Sequence, residues 1–483
     1  MVERKKMKKV KTIRALAVII GAFVLPGAAQ AASLLEIYQQ ALQSDPQIHE
    51  AEARRLAALE AGPQARGAYL PQLSFGGDYT TSERDGPDVI IDPITEQPIS
   101  VTATTENDVL RWSFSLRQTL FRWDQIVDLR RADKLIAKAE AVREAAQQDL
   151  IVRVAQRYFD VLAAEDRLTS IHADRTAIAR QLEQAKQRFE VGLIAITDVQ
   201  ESQAAYDQSI ADEIAAKRSL ATSREFLREI TGEYVPALSA PGDDFPLIAP
   251  DPNDEVSWVN LANSQNLNLI ASRIDEQLAR DEISYRRNGY YPTIELVANT
   301  GEQETDTTYA APGVAFSDNF TNTSDSISVQ FNLPIFAGGA TSSRVREAVY
   351  LHRASREQLQ RVTRETERQA RDAYLGVVSE RSRVKALEQA VSSSRTALEA
   401  TKAGFEVGTR TIVDVLNSQF SLYLAITNFY QSRYDYVLNA LRLKQAAGTL
   451  EVQDLELIDR WLTERKPPEQ AIAEEAAAGA ADY

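Results

Sequence analysis

Two long stretches of this chain contain no proline, one between Pro98 and Pro236 and the other between Pro334 and Pro467. Glycine is sparse in both, so little in either interval would break a helix, and helix is the expected conformation. From Asp124 to Glu190 the spacing predicts one continuous helix of roughly 100 Å at about 1.5 Å per residue. That is several times the length of an average globular helix. Apolar residues recur at helical spacing, as in Ile151, Val154, Tyr158 and Leu162, with Arg153, Gln156, Arg157 and Asp160 between them. Such a stripe marks a face to bury on neighbouring helices; residue by residue it is coiled-coil packing and carries no chemistry.

The two intervals are related. A shift of 216 residues aligns Phe189-Glu190-Val191-Gly192 with Phe405-Glu406-Val407-Gly408, then Ile196, Asp198, Val199, Ser202 and Gln203 with Ile412, Asp414, Val415, Ser418 and Gln419. The same shift pairs Tyr158 with Tyr374 and Gly232 with Gly448, and the Leu70-Pro71 corner resembles Tyr291-Pro292. The chain therefore reads as two structural repeats, 32–240 and 241–457. Each is expected to hold a helix, a β-hairpin (about 70–120 and about 292–334) and long helices reversing at a tip, near 192 and near 408.

The hairpins follow from alternation. Leu110, Trp112, Phe114, Leu116 and Leu120 alternate with Arg111, Ser113, Ser115, Arg117 and Thr119; Ile327, Val329, Phe331 and Leu333 alternate with Ser326, Ser328, Gln330 and Asn332. Period two with one apolar side is the pattern of a half-buried strand. Weaker partners run through Leu73, Phe75, Gly77, Tyr79 and Thr81, and through Ile294, Leu296, Ala298 and Thr300, joined by polar stretches expected to be loops at Ser82–Asp108 and Glu302–Asp318. Alternation alone also suits a soluble two-hairpin domain with one wet face; Trp112 and Phe114 in an exported chain favour lipid.

Export is signalled at the N-terminus. Arg4, Lys5, Lys6, Lys8, Lys9, Lys11 and Arg14 precede an apolar run from Leu16 to Leu25 and then Ala29-Gln30-Ala31, the layout of a secretory signal peptide spanning 1–31. Its loss takes the formal charge from -15 to -21, a poor balance for a nucleic-acid partner. The chain has no Cys, so stability is expected from packing and assembly, and a lipidated N-terminal Cys is excluded. No later window approaches the ~20 apolar residues of a spanning helix, so strands would have to carry any membrane role. Four strands cannot close a barrel, and open sheet edges are not tolerated in lipid. Two copies would give about eight strands around a filled interior, whereas three give about twelve and room for a duct.

The residues from Ser33 to Tyr79, with Glu36-Ile37-Tyr38-Gln39-Gln40-Ala41, Asp45-Pro46 and Tyr69-Leu70-Pro71-Gln72-Leu73, resemble the start of the TolC family of outer-membrane efflux proteins. Gly192-Leu193-Ile194-Ala195-Ile196-Thr197-Asp198-Val199-Gln200 and Val407-Gly408-Thr409-Arg410-Thr411-Ile412-Val413-Asp414-Val415-Leu416 resemble its two periplasmic hairpin tips. The similarity runs to about Leu457. It implies an α+β membrane protein: a homotrimer with a twelve-stranded β-barrel in outer-membrane lipid, four strands per chain, continuous with a long periplasmic α-helical barrel and a mixed α/β belt. It also implies docking to a periplasmic adaptor (membrane fusion) protein and an inner-membrane pump of RND or ABC type, in drug efflux or type I secretion. The energy would come from the pump, in keeping with a sequence that has no phosphate-cradling loop. No cofactor, metal or nucleic acid is expected.

By the same resemblance the tips form the periplasmic gate. Gly192 and Gly408 sit where two helices must reverse, and glycine suits such a turn, whatever its function. Leu193, Thr197 and Thr409 join them as the expected adaptor-contacting residues. Asp414 matches a carboxylate that, repeated by threefold symmetry, rings the narrowest point, where like charges raise one another's pKa and gather cations. Arg410 and Asp198 match partners in polar links that hold the tips closed. Phe405 stands where the best-known member has Tyr, and Asn417 where it has a second Asp, so one latch hydrogen bond and half the ring charge are expected to be missing.

Two rival readings remain. An enzyme finds little support: His49, His172 and His352 are scattered, and neither a Gly-x-Ser-x-Gly elbow nor a His-Glu-x-x-His helix occurs. A secreted coiled-coil stalk or adhesin would explain the helices but leave the alternating strands and repeated glycine tips unused. The tail at 466–483, rich in Ala, Glu and Pro, is expected to be disordered.

Overall fold

The computed structural model describes residues 31–91, 96–242 and 245–463. The expected leader, except Ala31, and the expected disordered tail lie outside the described residues. Three short helices, α1 (Leu34–Ser44), α2 (Pro46–Leu59) and α3 (Ala61–Gly67), precede the strands β1 (Gln72–Ile91) and β2 (Pro98–Phe121). Then come α4 (Trp123–Glu190), α5 (Ile196–Thr231) and a two-residue strand, β3 (Ala240–Pro241). The order continues with α6 (Glu255–Gln265), α7 (Leu267–Arg286), β4 (Thr293–Ala311) and β5 (Val314–Asn332). Finally α8 (Ala340–Glu406), α9 (Ile412–Ala447), α10 (Val452–Asp459) and β6 (Leu462–Thr463) complete the chain. Helices α4 and α8 are 68 and 67 residues long, and α5 and α9 are 36 each.

The four long strands form one antiparallel sheet in the order β1-β2-β4-β5, and among the described residues β1 and β5 each keep one edge unpaired. Register places Leu73, Phe75 and Tyr79 opposite Leu116, Phe114 and Leu110, and Leu116 opposite Ala298, itself opposite Ile327. This face is apolar and strongly exposed: Phe75 is 63% accessible and Ile327 76%. The other face carries Ser74, Ser115, Asn299 and Ser326 at the same level. The apolar band is staggered. Residues Leu110 to Leu116 of β2 pair with Glu304 to Ala298 of β4, yet the apolar positions of β4 lie lower, at Ala298, Leu296 and Ile294. A tilted sheet on its way to closure needs such a stagger.

The strands are longer than their apolar pattern suggested. The stretches Ser82–Asp108 and Glu302–Asp318, expected as loops, are mostly ladder, with β4 and β5 joined through Pro312-Gly313 alone. Cross-strand polar bonds take over where apolar burial ends: Thr81 Oγ1 donates to Asp108 (2.7 Å), Thr104 Oγ1 to Asp85 (2.6 Å) and Thr307 Oγ1 to Asn107 (2.8 Å).

Helix α4 leaves β2 directly. Trp123 anchors the junction, its ring 5.0 Å from that of Tyr291 and its indole N–H donating to the Ser284 carbonyl (3.1 Å). The main core sits part-way along the long helices, where Leu150–Leu168 of α4 meet the end of α5, the second half of α9, α1 and α10. Tyr158 is fully buried there and donates its hydroxyl to the Ser239 carbonyl (2.6 Å), while Phe159 stacks on Tyr434. Below this belt only thin cores remain, one around Leu182, Ala185 and Val199 and one around Leu398, Val415 and Leu422. Among the described residues no helix is long and apolar enough to cross a membrane.

Candidate functional site

Both helical hairpins end in the same backbone turn. Gly192 (φ 75°) and Gly408 (φ 76°) take the left-handed conformation that a side chain would strain. At the first tip the N–H of Leu193 reaches the Arg188 carbonyl (2.8 Å), and at the second Thr409 reaches that of Gly404 (2.8 Å), so each turn closes over the last carbonyls of the descending helix. Leu193 is 73% exposed, and Gly192, Thr197, Gly408 and Thr409 are exposed too, so the expected adaptor-contacting residues form the outer surface of the tips.

The ascending helices begin differently. Helix α9 starts at Thr411, whose hydroxyl accepts from the Asp414 N–H (3.2 Å), while Asp414 Oδ2 accepts from the Thr411 N–H (2.9 Å) and hydroxyl (3.0 Å). This reciprocal capping box satisfies the first-turn donors. Helix α5 has Ala195 at its N-cap, with no side chain to cap with, and the Asp198 N–H turns to the Ala195 carbonyl instead (3.2 Å). The Thr411 backbone and hydroxyl hydrogen bonds, with Arg410 adding its charge, hold Asp414 below the usual carboxylate range. The sequence carries the signal for this box, a Thr three residues before an Asp at a helix start.

Asn417 lies one turn beyond Asp414 on the same face of α9, exposed, its carbonyl accepting from Ser421 (2.8 Å). Phe405 is half-buried against Leu398, Val415 and Leu422, and the Arg188 guanidinium lies 4.9 Å from its ring centre. The stem of Arg410 folds back over Gly404, where an added Cβ would come within 2.9 Å of it. Among the described residues neither Arg410 nor Asp198 forms an ion pair within one chain, so the structure does not bring these two latch residues together there.

Above the tips the two hairpins meet. A cavity of about 270 Å³ lies between α4 and the α8/α9 pair, bordered by Arg180, Arg188, Lys402 and Phe405. Beside it Gln181 Nε2 donates to Gln419 Oε1 (2.9 Å), and Gln419, fully buried, donates to Asp174 Oδ1 (2.7 Å). Burial pushes the Asp174 carboxyl up, and the Gln419 bond moderates the rise. This link joins residues 245 apart, and no local pattern could have announced it.

The family described as outer membrane efflux protein matches residues 37–233 and 258–449. The chain belongs to the outer membrane efflux protein family. Within it, the outer membrane protein TolC of Vibrio cholerae is 38% identical over 433 residues, covering 89% of this chain and 94% of that one. The alkaline protease secretion protein AprF of Pseudomonas aeruginosa is 28% identical over 91% of this chain and 90% of its own length. Among solved structures, the outer membrane protein VceC of Vibrio cholerae superposes with a TM-score of 0.68 at 20% identity, covering 86% of this chain and 96% of that one, a likeness of fold. As an efflux protein of this family the chain resides in the outer membrane and serves as an exit duct.

Proposed function

We propose that three copies of this chain close a twelve-stranded barrel in outer-membrane lipid, and that their long helices continue it as a periplasmic tunnel gated at the tips. Each copy contributes two repeats, 32–240 and 241–457. The observation that carries this reading is the sheet: four strands with one exposed apolar face, a staggered apolar band and two open edges. In lipid such edges must be paired, and further copies of the same edges supply the partners. Helices of 68 and 67 residues leave the sheet on the side opposite its turns, which suits a duct that reaches far from the membrane.

The tips are the gate and the docking end. Asp414, ringed by its symmetry copies, sets the charge of the mouth, with Asn417 one turn above it. Arg410 and Asp198 act as latch partners between copies, where a guanidinium can meet a carboxylate that it does not reach within one chain. The capping bonds to Thr411 lower the Asp414 pKa while ring neighbours raise it, so the two influences oppose. An adaptor engages Gly192, Leu193, Thr197, Gly408 and Thr409, and an inner-membrane pump supplies the energy, for small toxic compounds or for a secreted protein such as those served by the protease secretion relatives.

The test is single-channel recording of the purified protein in a planar bilayer beside Asp414→Asn. Small cation-selective currents that lose selectivity in the variant support a duct with Asp414 at its mouth. A folded oligomer that gives no channel, and dissociates in detergent without heating, would replace the duct by a secreted stalk.

A further inference from the structure

The polarity of the sheet's two faces changes along the strands. In the lower part the apolar face carries Leu73, Phe75, Ile327, Val329 and Phe331, and the opposite face Ser74, Ser115, Asn299 and Ser328. Toward the turns the first face becomes acidic and hydroxylic: Glu83 pairs with Glu106 and that with Thr308, and Asp108 pairs with Asp306. There the second face gains apolar and aromatic positions among polar ones such as Asn107 and Thr307. Val109 pairs with Thr305 and that with Phe320; Thr105 pairs with Tyr309 and that with Phe316. The Tyr309 and Phe316 rings stack with centroids 5.1 Å apart, and the Tyr309 hydroxyl is fixed by Asp88 (2.9 Å). Phe320 lies seven residues beyond Ile327 along β5, roughly 23 Å at about 3.3 Å per residue, which carries it clear of the lipid-facing band.

A solvated ribbon with no further role would be polar on both faces. Here one chain leaves Phe316 54% and Phe320 49% exposed on the face that, lower down, lines the duct. That side faces its own symmetry copies across the axis. We infer that the strand ends beyond the outer leaflet converge on this face and form an apolar collar at the outer mouth, built from Tyr309, Phe316 and Phe320 of each copy. The inference rests on the barrel reading above. Such a collar is a second constriction, remote from the charged tips, that resists hydrated solutes and lets apolar ones slip through.

The chain has no cysteine, so single thiols can be placed at will. Phe320→Cys, Phe316→Cys, Ile327→Cys and Ser328→Cys, in the full-length oligomer in liposomes, are treated with a water-soluble maleimide and with a short bis-alkylating cross-linker. A collar predicts that Ser328→Cys reacts and Ile327→Cys does not, while Phe320→Cys and Phe316→Cys react about tenfold more slowly than Ser328→Cys and cross-link between chains. Equal rates at 316, 320 and 328 without cross-links, with Ile327→Cys still protected, would mean an open outer mouth and would remove the collar alone. Reaction at Ile327→Cys as fast as at Ser328→Cys would overturn the barrel, and the collar with it. Independently, Tyr309→Ser/Phe316→Ser/Phe320→Ser should raise the open conductance about twofold; an unchanged conductance speaks against a constriction there.

Discussion

In the first helical hairpin the shaft is joined by charge. Glu213 of α5, its side chain only 3% exposed, meets Arg175 of α4 at 2.7 Å and Lys217 at 2.8 Å, with the His172 ring 3.5 Å away. In the second, the positions 216 residues on are Phe429, Val391 and Leu422 in place of Glu213, Arg175 and Tyr206, and the shaft closes around Leu398, Val415 and Leu422. The tips differ too: the second is capped by Thr411 and Asp414, whereas the first begins at an uncapped Ala195. One backbone plan is thus held by buried ions and a small apolar core with an uncapped tip in one half, and by apolar contact with a capped tip in the other. A hairpin that is self-packed and self-capped can shift as a unit against a neighbour, and Gln181, Gln419 and Asp174 are the polar contacts it would have to trade in doing so.

The comparison can be broken where it is strongest. Burial raises the Glu213 pKa, but the hydrogen bonds and charges of Lys217 and Arg175 outweigh it and hold the group at about 2, against 4.5 ordinarily. After screening at the partly exposed Lys217 and Arg175, these contacts are worth roughly 2 kcal/mol at neutral pH, and Glu213→Gln should lose most of it. Because the folded pKa is depressed, this stability is complete above 4.5 and fades as pH falls towards about 2. Chemical denaturation of parent and variant should therefore differ at pH 7 and converge in acid. Leu422→Ala should cost about 2 kcal/mol, read as faster hydrogen exchange in α8 and α9 with α4 and α5 unaffected; spread across both hairpins would mean that they do not pack separately.

Smaller effects sharpen the contrast at the tips. Thr411→Ala should cost about 1 kcal/mol and return Asp414 towards the ordinary carboxylate pKa, visible in carboxyl NMR titration, while Ala195→Thr should give the first tip the missing cap, since Asp198 already stands three residues on. Restoring the latch with Phe405→Tyr and Asn417→Asp should tighten the closed mouth by about 1 kcal/mol per hydrogen bond gained, lowering conductance and steepening cation selectivity in bilayer recordings.

Local periodicity made the large elements legible. The proline-free stretches read as helices because 3.6-residue spacing survives over many turns, and Leu110 to Leu120 read as strand because period two leaves no other conformation with one apolar face. The continuation of that strand through Glu106 and Thr104 was not legible, because alternation weakens once the apolar side changes face. Contacts set by tertiary placement were beyond reach: nothing near Glu213 or Gln419 in the chain says that Arg175 or Asp174 will stand beside it. The residues proposed for the gate stand out only by likeness to relatives, and their surroundings, above all the engagement of Asp414 in a cap, are set by the fold.

Helix α4 is clamped as far as Leu168 by the belt core and runs on beyond it to Glu190. The belt is then a fulcrum and the lower helix a lever arm of roughly 33 Å at about 1.5 Å per residue. A swing of about five degrees carries its end some 3 Å, farther than a hydrogen bond can stretch. A mouth built at the ends of such levers can be unlatched by small adjustments where the helices are held, far from the bonds that break.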